Sequence, residues 1–152
     1  MSPKVRGASS PFLDTNVLVY ALAWDDPRAA TARSLLLAGG VISVQVIDEF
    51  VSVARGRLDM DWSEIEEALA AVTVLCGKPR PVTGSTQQAA MALAREQELG
   101  FHDALIVAAA LEAECPLLYS ESLPDGLVLD GLTVRNPFGE PAPAAPKARR
   151  RA

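Results

Sequence analysis

Eight consecutive apolar residues, Ala104 to Leu111, constrain this chain more than any other feature it carries. The run is built of Ala, Leu, Ile and Val and is too short to cross a bilayer, which takes about 20 such residues. Read as a helix over Asp103 to Glu114, it offers water no polar face, so it must be covered on most sides. A chain of 152 residues, 49% hydrophobic, can supply that cover only as one domain with layers packed on a single core.

The rest of the chain alternates short apolar runs with helical patterns. PFLD (11–14) reads as a strand ending on a carboxylate, followed by a helix from Asn16 to Ala23. Asp26 is placed to cap a helix through Leu37 that Gly39–Gly40 closes. VISV (41–44) is a buried strand, and a helix follows it to about Arg55. Ser63 and Glu66 have capping-box spacing for a helix ending near Cys76–Gly77. RPVT (80–83) reads as a short strand, and Ser85 to Glu98 as a helix that Gly100 ends. PLLYS (116–120), LVL (127–129) and LTV (132–134) are strands. Such alternation predicts an α/β domain with a mainly parallel sheet covered on both faces. In such sheets chemistry sits beyond the carboxyl ends of the strands. The domain is expected over 11–138, after a flexible segment 1–10 and before a disordered Pro/Ala/Arg tail, 139–152.

Charge is distributed unevenly. The chain has 14 Lys and Arg against 19 Asp and Glu, a net −5. Lys4, Arg6, Lys147, Arg149, Arg150 and Arg151 lie in the two end segments with only Glu140, so 8 basic and 18 acidic residues share 11–138, a net −10. That excess is either solubilising surface or a site that collects cations. Cys76 and Cys115 have no CxxC spacing and make neither a disulfide framework nor a zinc site, which fits a reducing cytoplasm. MSPKVRGASS lacks the apolar region of a secretion signal.

Several acids fall at or next to strand ends. Asp14 opens Asp14-Thr15-Asn16 after the first strand and serves equally well as a helix N-cap. In Gln45-Val46-Ile47-Asp48-Glu49-Phe50, helical periodicity puts Glu49 and Asp48 on opposite borders of the apolar face and favours Glu49 as the inward-looking acid only slightly. Asp103, at the mouth of the apolar helix, reads as an N-cap or as a half-buried acid needing a counter-charge. Its neighbour His102 is the chain's one histidine. Ser120-Glu121-Ser122 closes the PLLY strand. Clustered carboxylates repel one another unless a cation sits between them, and hard ions such as Mg²⁺ or Mn²⁺ take oxygen ligands. Such ions activate water and stabilise charge on phosphoryl oxygens, so phosphodiester hydrolysis is the natural reaction class. Two other uses of a strand-end Asp do not fit. A dehalogenase-type phosphatase needs a second Asp where Asn16 stands, and a receiver domain needs a Lys that is missing at the expected place.

Phe12-Leu13-Asp14-Thr15-Asn16-Val17-Leu18-Val19-Tyr20, Ile42 through Phe50, His102-Asp103-Ala104 through Ala110, Leu118-Tyr119-Ser120-Glu121 and Asn136-Pro137-Phe138 together resemble a PIN domain. The resemblance is to the VapC-type ribonuclease toxins of type II toxin–antitoxin pairs, and it covers 11–138 in order. It implies a three-layer α/β/α sandwich and an endoribonuclease dependent on Mg²⁺ or Mn²⁺. It favours Glu49 over Asp48 and matches Asp14, Glu49 and Asp103 to the family's first three acids. It further implies that Asp14 and Asp103 bind the metal while Glu49 orients its water, leaving a 5′-phosphate and a 3′-hydroxyl. The family often has a fourth acid where this chain has Ser122, so the adjacent Glu121 is the candidate replacement. Asn16 and Ser120 are expected to support the acids. The implied partners are RNA, a small antitoxin offering a basic side chain to the acids, and a second copy in a homodimer, with no membrane. RNA affinity is expected from Arg28, Arg33, Arg55, Arg57 and the tail. The alternative reading is a catalytically weak PIN-like module that binds RNA or a partner.

Overall fold

The structure, a computed structural model, describes residues 9–139. The expectations of flexibility at 1–8 and disorder at 140–152 lie outside the described residues. Four strands, β1 (Phe12–Leu13), β2 (Leu117–Tyr119), β3 (Val128–Leu129) and β4 (Leu132–Arg135), form a sheet in the order β1-β2-β4-β3. β1, β2 and β4 are parallel, with Phe12 opposite Leu118 and Leu118 opposite Val134. β3 is antiparallel to β4. The two are joined by Asp130–Gly131, whose positive φ angles of 48° and 85° match the twist of a tight hairpin.

The expected strands at 41–44 and 80–83 are single parallel bridges, Phe12 to Val41 and Ser43 to Arg80. They continue the sheet beyond β1, but Ser43 leaves it at once to cap the next helix, its Oγ accepting from Val46 N at 3.4 Å. This close approach depends on Gly40, where a Cβ would lie 2.8 Å from the Pro11 carbonyl that Val41 N bonds.

Six helices cover the sheet: α1 (Thr15–Ala21), α2 (Ala29–Ala38), α3 (Val44–Gly56), α4 (Trp62–Cys76), α5 (Gly84–Gln97) and α6 (Phe101–Glu112). α1 packs on α2 and α3, α2 and α3 pack on α4, and α5 pairs with α6. The result is the expected α/β sandwich around a mainly parallel sheet. α6 has neighbours on two sides. Ile106, Val107, Ala109 and Ala110 join the main core with Phe12, Leu118 and Val134, while Ala104, Leu105 and Ala108 meet Ala90 of α5. All seven residues from Ala104 to Ala110 are buried. None of the helices in the described residues is long and apolar enough to cross a membrane.

Four helix ends differ from the sequence expectation. The α4 box is Asp61 with Glu64, reciprocally bonded at 2.8 and 2.9 Å, in place of Ser63 with Glu66. The helix simply starts two residues earlier, and both pairs have the same spacing. Asp26 does not cap α2, whose N-cap is Arg28; its carboxylate instead holds the Arg28 backbone and guanidinium. Asp103 is not the first residue of α6. Gly100 is the N-cap, and Asp103 lies in the first turn. Glu98, in left-handed conformation, ends α5 before Gly100 is reached.

Candidate active site

Strand register dictates the centre of the site. Leu13 lies opposite Tyr119, so the residues that follow them, Asp14 and Ser120, leave the sheet side by side. Asp14 N bonds Tyr119 O at 3.1 Å, and Ser120 Oγ donates to Asp14 Oδ2 at 2.7 Å. The other carboxylate oxygen accepts from Thr15 N at 2.7 Å, so Asp14 both caps α1 and faces the strand ends. Ser120 is itself buried, and its Oγ accepts from Ser122 N and Leu123 N, which ties the following loop to Asp14.

Glu49 reaches the same place from α3. Thr15 Oγ1 donates to its Oε1 at 2.6 Å and Gln45 Nε2 to its Oε2 at 3.1 Å, whereas Asp48 is exposed. Asp103 arrives from the first turn of α6, and Ser122 Oγ donates to its Oδ1 at 2.9 Å while standing 3.5 Å from Asp14 Oδ2. Asp14, Asn16, Glu49, His102, Asp103 and Ser122 line one cavity of about 320 Å³, which among the described residues has no Lys or Arg in its wall. A larger cleft of about 670 Å³ between the 22–27 and 57–60 segments contains none of these acids.

The electrostatics follow from burial. Asp14 is 7% exposed, and desolvation pushes its carboxyl up to about 6. The Ser120 and Thr15 hydrogen bonds oppose that shift, while Asp103 and Glu49 reinforce it. Burial also raises Asp103, against the Ser122 hydrogen bond, with Glu49 adding to the rise and His102 opposing it. Each of the three acids is thus held by a hydroxyl, from Ser120, Thr15 or Ser122, and none by a cationic side chain. Among the described residues no three His, Cys, Asp or Glu side chains stand close enough together to hold one cation between them, although Asp14, Glu49 and Asp103 share a cavity.

The sequence-derived set therefore meets here except at one member. Asp14, Asn16, Glu49, Asp103 and Ser120 are together; Glu121 is turned away. It accepts from Arg28 Nη1 at 2.9 Å, Asn16 Nδ2 at 3.3 Å and the Tyr20 hydroxyl, and it does not line the cavity. Arg28 is in turn anchored on Asp26 and lies 3.7 Å above the Tyr20 ring. Ser122 occupies the position beside Asp103. Thr15 and Gln45 are the site residues that sequence reasoning passed over, and Ser122, singled out there only as the place of a missing acid, donates a hydrogen bond to Asp103. Gln45 alone carried a usable signal, four residues before Glu49 on one helix face.

Residues 12–122 match the PIN domain family. Comparison with curated proteins finds no match. Among solved structures, the chain is similar to VapC20 of Mycobacterium tuberculosis, described as a sarcin–ricin loop cleaving toxin, at 22% identity and TM-score 0.58, over 73% of this chain and 88% of that one. A toxin–antitoxin complex from Klebsiella pneumoniae aligns at 21% identity and TM-score 0.64, over 85% and 98%. VapBC2 from Rickettsia felis, bound to a DNA fragment from its promoter, aligns at 18% and 0.60, over 82% and 96%. At such identities the likeness is one of fold. The family match runs over most of the chain and takes in Asp14, Glu49, Asp103 and Ser122, and on that ground the chain belongs to the PIN domain family.

Proposed function

We propose that this protein is a divalent-metal-dependent endoribonuclease and the toxin of a toxin–antitoxin pair. The observation that carries the reading is the convergence of Asp14, Glu49 and Asp103 on one cavity whose wall, among the described residues, holds no Lys or Arg. Hydrogen bonds from Ser120, Thr15, Ser122 and Gln45 ease the repulsion among them, and burial pushes the Asp14 carboxyl up. An all-oxygen, cation-poor donor set of this kind fits Mg²⁺ or Mn²⁺. Mg²⁺ is commonly held by one or two carboxylates with water completing its shell, which suits a cavity whose three acids are not all within reach of one ion.

Asp14 and Asp103 would hold the ion, brought together by Ser122 between their carboxylates. When bound, the ion supplies Lewis acidity toward a phosphoryl oxygen and lowers the pKa of coordinated water toward neutrality. Glu49 is fixed at both oxygens by Thr15 and Gln45 and orients the attacking water through Oε2, the more loosely held of the two. Ser120 keeps Asp14 facing the cavity, and Asn16 is steadied by Glu121. In-line attack on phosphorus then leaves a 5′-phosphate and a 3′-hydroxyl. The partners are RNA, an antitoxin presenting a basic side chain to these acids, and a second copy of the chain. An RNA substrate and an antitoxin partner imply the cytoplasm as its location.

Ser122 in place of an acid, with Glu121 drawn off to Arg28, favours one second reading: a weakly catalytic PIN module that binds RNA or a partner. Purified full-length protein incubated with several RNAs and Mg²⁺ or Mn²⁺ separates the two. The nuclease reading predicts discrete fragments with 5′-phosphate ends, absent with Asp14→Ala. Wild type as inert as that variant on every RNA leaves the binding module. The toxin role predicts growth arrest on expression that Asp14→Ala relieves, and an antitoxin gene beside this one.

A further inference from the structure

The acids that would cut RNA do not explain how RNA is gripped. Of the expected arginines, the four among the described residues, Arg28, Arg33, Arg55 and Arg57, do not line the cavity. Arg28 is committed to Asp26 and Glu121. Arg33 donates to Ala21 O at 2.9 Å and lies 4.4 Å over Trp24. Arg55 donates to Met60 O at 3.1 Å and lies 4.8 Å over Trp62. Arg57 belongs to the larger cleft. Among the described residues no arginine stands at the cavity itself, and stacking of bases on aromatic rings is a grip that needs no positive charge there.

The rim of the acid cavity carries such a surface. Phe101 and His102 open α6, immediately before Asp103, and both are exposed, Phe101 to 41%. Their ring centroids are 6.2 Å apart with planes tilted by 54°, and His102 lines the cavity itself. The fold does not need either ring, because the buried face of α6 begins at Ala104. The backbone beneath them is also wired to the site. Gln45 Nε2 donates both to His102 O at 3.0 Å and to Glu49 Oε2 at 3.1 Å.

We infer that Phe101 and His102 form a stacking platform for one unpaired base of the RNA, next to the phosphate that is cut. The inference rests on the ribonuclease reading. Unpaired bases in single-stranded RNA expose a π-face that Phe and His accept, whereas a duplex does not. The platform therefore selects single-stranded segments, and through Gln45 it shares a hydrogen-bonded bridge with the acid that orients water.

The test couples the ring to the base. With the cut site mapped on a single-stranded RNA, abasic ribonucleotides are placed one at a time on either side of it, and KM is measured for the full chain and for Phe101→Ala. At one position the abasic RNA raises the wild-type KM about tenfold, as loss of one stacked base should. Phe101→Ala shows a similar rise on intact RNA and no further rise on that abasic RNA. Phe101→Trp restores the wild-type pattern, and Mn²⁺ affinity measured by calorimetry is the same in all three proteins. Phe101→Ala with wild-type KM, or effects that multiply independently at every position, overturns the platform. So does a KM rise that follows dissociation of a dimer, since a second copy then covers this face. If wild type cleaves no RNA, the ribonuclease reading falls first and the platform with it; cleavage without coupling removes the platform alone.

Discussion

Asp14 holds one end of α1, one edge of the sheet and one wall of the cavity with a single carboxylate. Its burial has a consequence for stability. The folded protein holds the Asp14 proton up to about pH 6, whereas the unfolded chain releases it near the ordinary 3.8. In that interval the folded state binds more protons, so stability without metal falls as pH rises from about 4 through about 6 and then levels off. A shift of this size corresponds to about 3 kcal/mol, taken as an order of magnitude. Chemical denaturation across that range in the presence of a chelator should show the decline, Asp14→Asn should flatten it, and Mg²⁺ should stabilise wild type at pH 7 but not the variant. Ser122 bears a second prediction. Ser122→Asp places a further carboxylate beside Asp103 and Asp14, so calorimetry should show tighter Mn²⁺ binding, while Glu121→Gln should leave it unchanged because Glu121 is engaged by Arg28. The sequence placed Asp14 and Asp103 at strand and helix ends by pattern alone. Periodicity could not settle Glu49 against Asp48, because both border the apolar face; the family resemblance favoured Glu49, and Thr15 and Gln45 hold it in the structure. Nor could the sequence show where Glu121 points, which depends on Arg28, a residue 93 positions away in sequence.

At the scale of elements, long periodic segments were legible and junctions were not. The apolar stretch of α6 demanded cover, and the core on one side with α5 on the other provides it. Strands 41–44 and 80–83 were over-read because a buried apolar run looks the same whether it forms a ladder or one bridge before a cap. The α4 start shows the same ambiguity between two acid-bearing capping patterns. Asp61→Ala should therefore cost about 1 kcal/mol of unfolding free energy, while Ser63→Ala should stay within about 0.5 kcal/mol of wild type. Gly40→Ala should cost about 1–3 kcal/mol, because the new methyl meets the Pro11 carbonyl and Leu13 at the joint between β1 and the Val41 bridge. Urea denaturation of the three variants checks both statements.

Over the whole molecule, the acidity of residues 11–138 resolves into parts. Some of it builds the cavity, some forms structural pairs such as Asp26 with Arg28, and some faces solvent. Acidic charge and RNA as substrate are compatible when a cation occupies the cavity and aromatic rings at its rim carry the grip. The fold class could be read in advance because strand–helix alternation admits few layered solutions. The tethering of the acids could not, since it arises from parallel register between β1 and β2 and from loops that meet only in three dimensions. The central claim is that Asp14 and Asp103 hold a divalent ion with which this chain cuts RNA. Its most direct test is the single-turnover cleavage rate of a single-stranded RNA by the full chain, measured against Mg²⁺ concentration beside Asp14→Asn and Asp103→Asn. The account predicts a rate that saturates with Mg²⁺, vanishes with chelator and falls by about 10²-fold or more in either variant. Cleavage that persists in chelator, or variants as fast as wild type, would contradict it.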